Sequence, residues 1–306
     1  MKLRLATYGI VLVVAAFAAF VLVTRPKSIS AASLAPRTAD VANGRLVFDI
    51  GGCASCHATP GQADRLQLGG GLALASPFGI FKVPNVSSDV GTGIGAWTEQ
   101  QFVSALLRGT GRKGEHLYPS FPYTSYQRMT LTDARDLFAY MKTLPAVAQP
   151  SQRHELSFPF NVRLLLGGWK FLFLDGETFR PDSTKSAAHN RGAYLTEALG
   201  HCAECHSSRN VLGGLSADGR YAGGVTPDGK GWVPNITRHK DGLAEWTLND
   251  LTYFLKSGVT PNGFPVDDEM GKVIANTARL SDADRAAMAE YLVGLPARPG
   301  RKPKKE

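Results

Sequence analysis

Two stretches of this sequence carry residue types that do chemistry. Cys53-Ala54-Ser55-Cys56-His57 and Cys202-Ala203-Glu204-Cys205-His206 share the spacing C-x-x-C-H, and Cys202 follows Cys53 by 149 positions. All four cysteines lie in these two motifs, so none is left for a separate disulfide or a free nucleophile. A helical turn sets residues i and i+3 on one side, where both thiols can add to the two vinyl groups of one porphyrin. The histidine at i+4 shares that face and turns its imidazole toward the iron. The pattern is the attachment signature of a c-type haem. Cys53, Cys56 and His57 would hold one haem and Cys202, Cys205 and His206 another, giving two covalently bound haem c groups.

The bare motif admits other chemistry. Zinc needs two more ligands per site, or a single four-thiolate site drawing on both pairs, and a thioredoxin-like pair needs a strand before it. Neither accounts for a histidine after each pair, nor for the long loop-rich region and capped helix that follow each.

The sixth iron ligand separates electron transfer from substrate chemistry, since methionine raises the potential and closes the site. Of five methionines, Met1 is remote, and Met141 and Met288 fall at core positions of the last helix of each half. Met129 and Met270 remain, one loop methionine per motif, and are expected to complete two His/Met sites. Bis-histidine ligation is the alternative. His201 directly precedes Cys202 and is aimed elsewhere by the helix, while His116, His154, His189 and His239 sit in polar loops or the linker and read as surface or supporting residues.

The elements that must position these groups occur twice. Gly44-Arg45-Leu46 parallels Arg191 to Leu195 ahead of the motifs, Val83-Pro84-Asn85-Val86 parallels Val233-Pro234-Asn235-Ile236, and Ala96-Trp97-Thr98 parallels Glu245-Trp246-Thr247. Helices are expected from Thr98 to a Gly109 cap and from Thr247 to a Gly258 cap, with last helices opening at Thr132-Asp133 and Ser281-Asp282 and closed by Pro145 and Pro296. The Pro-Asn pairs read as shared turns or as support for a haem edge. The expected organisation is a membrane anchor or signal over 1–27, a linker over 28–39, one domain over 40–147, an interdomain segment over 148–184, a second domain over 185–297 and a basic tail over 298–306. Phe158 to Leu174 is apolar but broken by Asn161, Arg163, Lys170 and a Gly-Gly pair, so it reads as interdomain chain packed into the core, with a membrane- or partner-docking strip as the alternative.

The formal charge of +8 is confined to the ends, +4 up to residue 27 and +4 from residue 298, which leaves 25 basic and 25 acidic residues between them. A formally neutral body without a basic stripe excludes nucleic acid as a partner. Ile10 to Val23 is an uninterrupted apolar run, extending tolerably to Leu5, with Arg25 and Lys27 directly after it. That suits an uncleaved membrane anchor better than a signal peptide, although Ser30-Ala31-Ala32 forms a passable cleavage site. Either way the body is exported.

With these residues in view, the chain resembles the membrane-bound multihaem cytochrome c subunits of bacterial dehydrogenases that oxidise alcohols, gluconate, sorbitol, aldehydes or N-heterocycles. The likeness runs from about Asp40 to Pro296 and rests on CASCH, VPNVSSDVGTGIGAWT, HLYPSFPYTSYQRMT, the stretch from Phe173 to Asn210, VPNIT and MGKVIANTARLSDADRAAMAEYLVGLP. It implies a mainly α fold of two tandem class I cytochrome c domains behind an N-terminal transmembrane helix, with methionines corresponding to Met129 and Met270 as axial ligands. It also implies a place on the bacterial inner membrane with the body facing the periplasm, a molybdenum, flavin or quinoprotein dehydrogenase as donor, and a downstream cytochrome, oxidase or quinone as acceptor. Many family members carry a third haem domain, whereas this sequence closes on RKPKKE; the expectation is a two-haem version without a catalytic residue of its own. A dihaem cytochrome c peroxidase, the enzyme alternative, needs one haem with an absent or displaceable sixth ligand, against which two well-placed methionines argue. A thiosulfate-oxidising dihaem enzyme with an axial cysteine needs a fifth cysteine.

Overall fold

A computed structural model describes residues 2–300; the tail residues Arg301 to Glu306 lie outside the described part. Helix α1 (Lys2–Val23) is apolar on every side and has no buried residue, so it is long and apolar enough to cross a membrane. The chain then binds to the body at once. Thr110 donates to the Lys27 carbonyl at 2.6 Å, and Ile29 donates to Ser104 Oγ while its carbonyl accepts from Gln100.

The first half consists of α2 (Val41–Ile50), the single-turn α3 (Cys53–His57), the hairpin β1 (Ala73–Ser76) and β2 (Gly79–Lys82), α4 (Glu99–Arg108), the short α5 (Tyr123–Tyr126) and α6 (Leu131–Met141). Strand β3 (Glu155–Leu156) adds antiparallel to β2, and α7 (Leu165–Phe173) follows. The second half repeats the plan with α8 (Ala187–Tyr194), β4 (Gly224–Val225), β5 (Trp232–Val233), α9 (Leu248–Ser257), α10 (Asp268–Thr277) and α11 (Asp282–Val293).

The expected helix signals act as read at most ends. Thr98 and Thr247 form capping boxes with Gln101 and Asp250, and Gly109 and Gly258 close α4 and α9 at φ of 57° and 72°, where glycine has no Cβ to clash. Ser281 caps α11 as expected. At α6 the cap is Thr130, two residues before the expected Thr132, because its hydroxyl takes the Asp133 N–H at 3.0 Å.

In each half the first and last helices cross at a glycine. A methyl group at Gly44 would stand 2.1 Å from the Asp136 carbonyl of α6, and one at Gly192 would stand 1.8 Å from the Ala287 carbonyl of α11. Only a residue without a side chain lets the backbones approach so closely. Between crossing and motif the halves differ by one residue, nine from Gly44 to Cys53 and ten from Gly192 to Cys202. The extra residue is absorbed by a π-helical turn over Leu195–Leu199 that continues α8. One apolar core runs through both halves: Val47, Phe48, Leu137 and Met141 belong to the same buried cluster as Leu195, Leu199, Leu280 and Met288. A smaller cluster around Tyr221, Leu251 and Leu292 fills the far side of the second half. Met141 and Met288 are buried, as their helical spacing predicts.

One expectation fails. The stretch from Phe158 to Leu174 is not packed into the core; Phe158, Phe171 and Leu172 are 81%, 68% and 63% exposed. Its Gly-Gly break is the reason it lies where it does. Gly167 sits against Thr24 and Gly168 against the Phe20 ring, so α7 docks on the end of α1 through its two smallest residues. Lys170 turns inward to the Gly109 carbonyl at 3.0 Å, Trp169 and Phe173 are partly covered, and Phe171 and Leu172 are left outside.

Candidate haem sites

In both halves the residue before the first cysteine has left-handed backbone, Gly52 at φ 63° and His201 at φ 41°. The chain therefore turns sharply between the leading helix and the motif. Cys53 to His57 complete one α-helical turn, whereas the second copy is a 3-10 turn over Cys202–Glu204. No disulfide joins the four cysteines; Cys53 and Cys202 are partly buried and Cys56 and Cys205 are exposed. Burial pushes the Cys53 and Cys202 thiols up to about 12.

Each motif histidine is held by a proline carbonyl from the following loop. His57 Nδ1 lies 2.9 Å from the Pro84 oxygen and His206 Nδ1 lies 2.8 Å from the Pro234 oxygen. A carbonyl can only accept, so Nδ1 carries the proton and Nε2 keeps its lone pair. Burial also lowers both imidazoles below the ordinary histidine range, which keeps them neutral, the form that binds a metal. The loop reaches the motif because Gly70 and Gly223 donate their N–H groups to the His57 and His206 carbonyls at 2.9 and 3.0 Å. The paired asparagines form the shared turn expected of them, Asn85 Oδ1 accepting from the Ser87 N–H and Asn235 Oδ1 from the Thr237 N–H, each at 2.8 Å. Asn85 donates to the Val147 and Gln149 carbonyls and Asn235 to that of Arg298, so each ties the loop to the chain just beyond the last helix.

Sequence reasoning missed the residues that join the two motifs. Ser55 and Glu204 occupy the same third place of C-x-x-C-H, and each reaches the opposite half. Asn276 of α10 donates to Ser55 Oγ at 2.9 Å, while Thr124 and Ser125 of α5 donate to Glu204 at 2.5 and 3.1 Å. Burial works to raise the Glu204 carboxyl, but Arg209 and the Thr124 hydroxyl outweigh it and hold the group below the usual range. Tyr126 donates to the Gly51 carbonyl at 2.7 Å, and His201 Nε2 lies 3.3 Å from the same oxygen with its ring edge-on to Tyr126. Glu269 adds to burial in raising the thiols of both Cys56 and Cys205, so one carboxylate stands near both motifs. The only signal in the sequence was that the third motif residues, Ser and Glu, are both polar.

The other sequence candidates divide. His116 is buried rather than at the surface, beside Thr110 and Lys170, and His154 Nδ1 accepts from the Lys82 N–H. Met270 is not on a loop but in the first turn of α10, where it is partly exposed. Met129 is fully covered by protein at 0% exposure. It precedes the Thr130 cap of α6, the place from which an apolar side chain packs onto the first turns of the helix, and its equivalent before the Ser281 cap is Leu280, also buried. The two methionines thus sit differently: Met129 is buried ahead of the α6 cap, and Met270 is partly exposed at the start of α10.

The donor set fits haem c. Each half presents two unpaired thiols and a neutral imidazole whose Nε2 is free and oriented, three groups on one turn. Among the described residues no three His, Cys, Asp or Glu side chains converge as a metal ion alone would require, which leaves the zinc reading without a site.

A mostly helical fold with a thioether-competent motif and a carbonyl-oriented histidine defines a c-type cytochrome. Residues 41–145 match the cytochrome c family model. The chain is 43% identical over 297 residues to the "Diheme cytochrome c-type" protein of Cereibacter sphaeroides, a match that covers 96% of this chain and 99% of that relative. It is also 36% identical to the fructose dehydrogenase cytochrome subunit of Gluconobacter japonicus and 33% identical to the gluconate 2-dehydrogenase cytochrome c subunit of Pantoea cypripedii. Each of these matches covers 84% of this chain, but only 53% and 60% of the respective relative. The chain belongs to the dihaem c-type cytochromes. It carries two covalently bound haem c groups and works as an electron-transfer component rather than a catalytic subunit; the peroxidase reading finds no support among these relatives.

Proposed function

We propose that the chain is the electron-transfer subunit of a membrane-bound dehydrogenase, taking electrons from a molybdenum, flavin or quinoprotein partner and passing them to a downstream cytochrome, oxidase or quinone in the respiratory chain. Two haem domains, over 40–147 and 185–297, each present one redox group. Cys53, Cys56 and His57 hold the first; Cys202, Cys205, His206 and Met270 hold the second. Haem c supplies a one-electron couple whose potential the axial ligands and surroundings tune. The protein binds it through thioethers, fixes the imidazole plane through Pro84 and Pro234, and packs the two attachment turns against one another. The observation that carries this reading is the duplicated bond from motif histidine to proline carbonyl, because orienting an imidazole serves no purpose in a redox-inert cysteine pair.

The body faces the periplasm of a bacterial inner membrane, held by α1 as an uncleaved anchor. Two contacts support retention of the anchor: α7 uses Gly167 and Gly168 to seat on its end, and Lys27 and Ile29, both on the anchor side of Ser30-Ala31-Ala32, are bonded to the body. The protein matured in a periplasm should contain two haems per chain that resist acidic acetone, and Cys202→Ala should retain one. A colourless product, or two haems released by acidic acetone, defeats the assignment. For the partner, purification from the native membrane should bring a large catalytic subunit with it; a chain that is recovered alone under mild detergent and is not reduced by any dehydrogenase substrate defeats that part.

A further inference from the structure

The two halves share one register from the motif to the loop that follows the α4 or α9 helix. His57 and His206, the capping glycines Gly109 and Gly258, and the β-bridges Thr110 with His116 and Val259 with Pro265 are all related by the same offset of 149 positions. The next hydrogen bonds keep it: Leu117 N–H donates to the Gly109 carbonyl at 2.8 Å and Val266 N–H to the Gly258 carbonyl at 2.9 Å. Four residues further, the second half has Met270. The first half has Phe121. Both are partly exposed, unlike buried Met129, which falls into register with Leu280 only after the second half has gained two residues. Phe121 stands edge-on to Tyr123 and Tyr126, so the wall of the first site is aromatic where the second offers a thioether.

A phenyl ring has no lone pair to give iron. The nearby histidines are placed elsewhere: His154 Nδ1 accepts from Lys82, His201 lies against the Gly51 carbonyl on the attachment side of the motif, and His116 is buried opposite Thr110, which bonds the Lys27 carbonyl behind the anchor. We propose that the first haem, held by Cys53, Cys56 and His57, receives no sixth ligand from the protein, and that the face walled by Phe121 is a binding site for a small diatomic ligand such as carbon monoxide, nitric oxide or cyanide. The second site is closed by Met270. This inference rests on the haem assignment above and is tested separately from it.

Haem content is measured first on the full-length holoprotein as its pyridine complex, and anything other than two haems per chain defeats the haem assignment itself. With two haems present, the reduced protein should bind one carbon monoxide for every two haems, and the oxidised protein should show the sulfur-to-iron charge-transfer band at half the intensity expected for two His/Met sites. Phe121→Met should abolish carbon monoxide binding, bring the band to full intensity and raise one midpoint potential. Met129→Leu should leave binding, band and potentials as in the parent. The proposal is overturned if the parent binds no carbon monoxide, whether a second sulfur band or a bis-histidine spectrum explains it, or if Met129→Leu removes a sulfur band.

Discussion

Replacing Gly44 by alanine tests whether the helix crossing sets the architecture. The added methyl group would stand 2.1 Å from Asp136 O and 2.8 Å from Tyr140 Cβ, both far inside contact distance, so α2 and α6 have to move apart. Helix α6 is not free to retreat. The Asp136 side chain is held by Arg37 Nη1 at 2.5 Å, the Asp40 N–H at 2.9 Å and Asn43 Nδ2 at 2.9 Å. Overpacking of a tight site costs about 1–3 kcal/mol, and loss of one hydrogen bond to a charged group costs about 1.5–3 kcal/mol. Against this, alanine gains about 1 kcal/mol over glycine in a helix. The net is a destabilisation of about 2–4 kcal/mol. At roughly 2–4 °C per kcal/mol for a body of this size, Tm should fall by about 5–15 °C. Thermal unfolding of the holoprotein, followed by far-ultraviolet circular dichroism and by haem absorbance, measures it. Gly271→Ala is the control, since the nearest atom to its methyl group lies at 3.7 Å and helix propensity alone should decide the sign. A Gly44→Ala protein that melts within about 1 °C of the parent refutes the crossing argument.

Glu204→Gln should cost about 1–2 kcal/mol at neutral pH, because Arg209 loses its charged partner while Thr124 and Ser125 keep an acceptor. The folded carboxyl is held below its ordinary value near 4.5, so its contribution is complete above that value and is lost as pH falls through the lower folded one. The gap between parent and variant in urea unfolding should therefore close as pH drops below about 4.5, and a gap that widens in acid contradicts the assignment. Tyr194→Phe removes a hydroxyl that accepts from the Thr130 N–H at 3.0 Å and donates to Asp133, and should cost about 1–2 kcal/mol in the same assay with both haems retained. Met270→Ala should lower the potential of one haem and let it bind carbon monoxide; an unchanged redox titration removes Met270 from the ligand set. With α1 deleted, the exposed Phe171 and Leu172 should still give the body weak affinity for phospholipid vesicles that Phe171→Asp with Leu172→Asp abolishes, read by co-sedimentation.

What was legible in the sequence was local or periodic. The motifs, the Thr and Gly helix caps, the apolar N-terminal run and the buried Met141 and Met288 follow from spacing over a few residues, and the structure has them in place. What was not legible needed packing in three dimensions. Met129 and Met270 lie 72 and 64 residues after their motif histidines, and the bridge register sets Met270 opposite Phe121. The segment from Phe158 to Leu174 has core-like composition, yet its two glycines and Lys170 are what it turns inward. Each Pro-Asn pair forms the turn that its residue types signal, but that the proline carbonyl orients a histidine 27 or 28 residues earlier is visible only in the fold.

The junction between the halves bears most directly on electron flow. Ser125 and Asn276 hold equivalent places on α5 and α10, and each bonds the third motif residue of the other half, Glu204 and Ser55. The contact is thus reciprocal, as in a two-fold dimer built into one chain, and the continuous core beneath it leaves no hinge between the attachment turns. Arg65 adds a bond to Asn276 Oδ1 at 2.6 Å, so the amide that grips Ser55 is itself fixed by the first half. Electron transfer between two redox groups depends on their separation, and a separation set by hydrogen bonds between the attachment turns is set by folding rather than by encounter. If the first haem is the one with an aromatic distal wall and the second the one closed by sulfur, the rigid junction joins two sites of different potential, with the thioether-ligated second haem the higher on axial ligation alone. Direction of flow then follows from which distal residue each half carries, Phe121 or Met270, and exchanging them between halves should invert the order of potentials while leaving the junction intact.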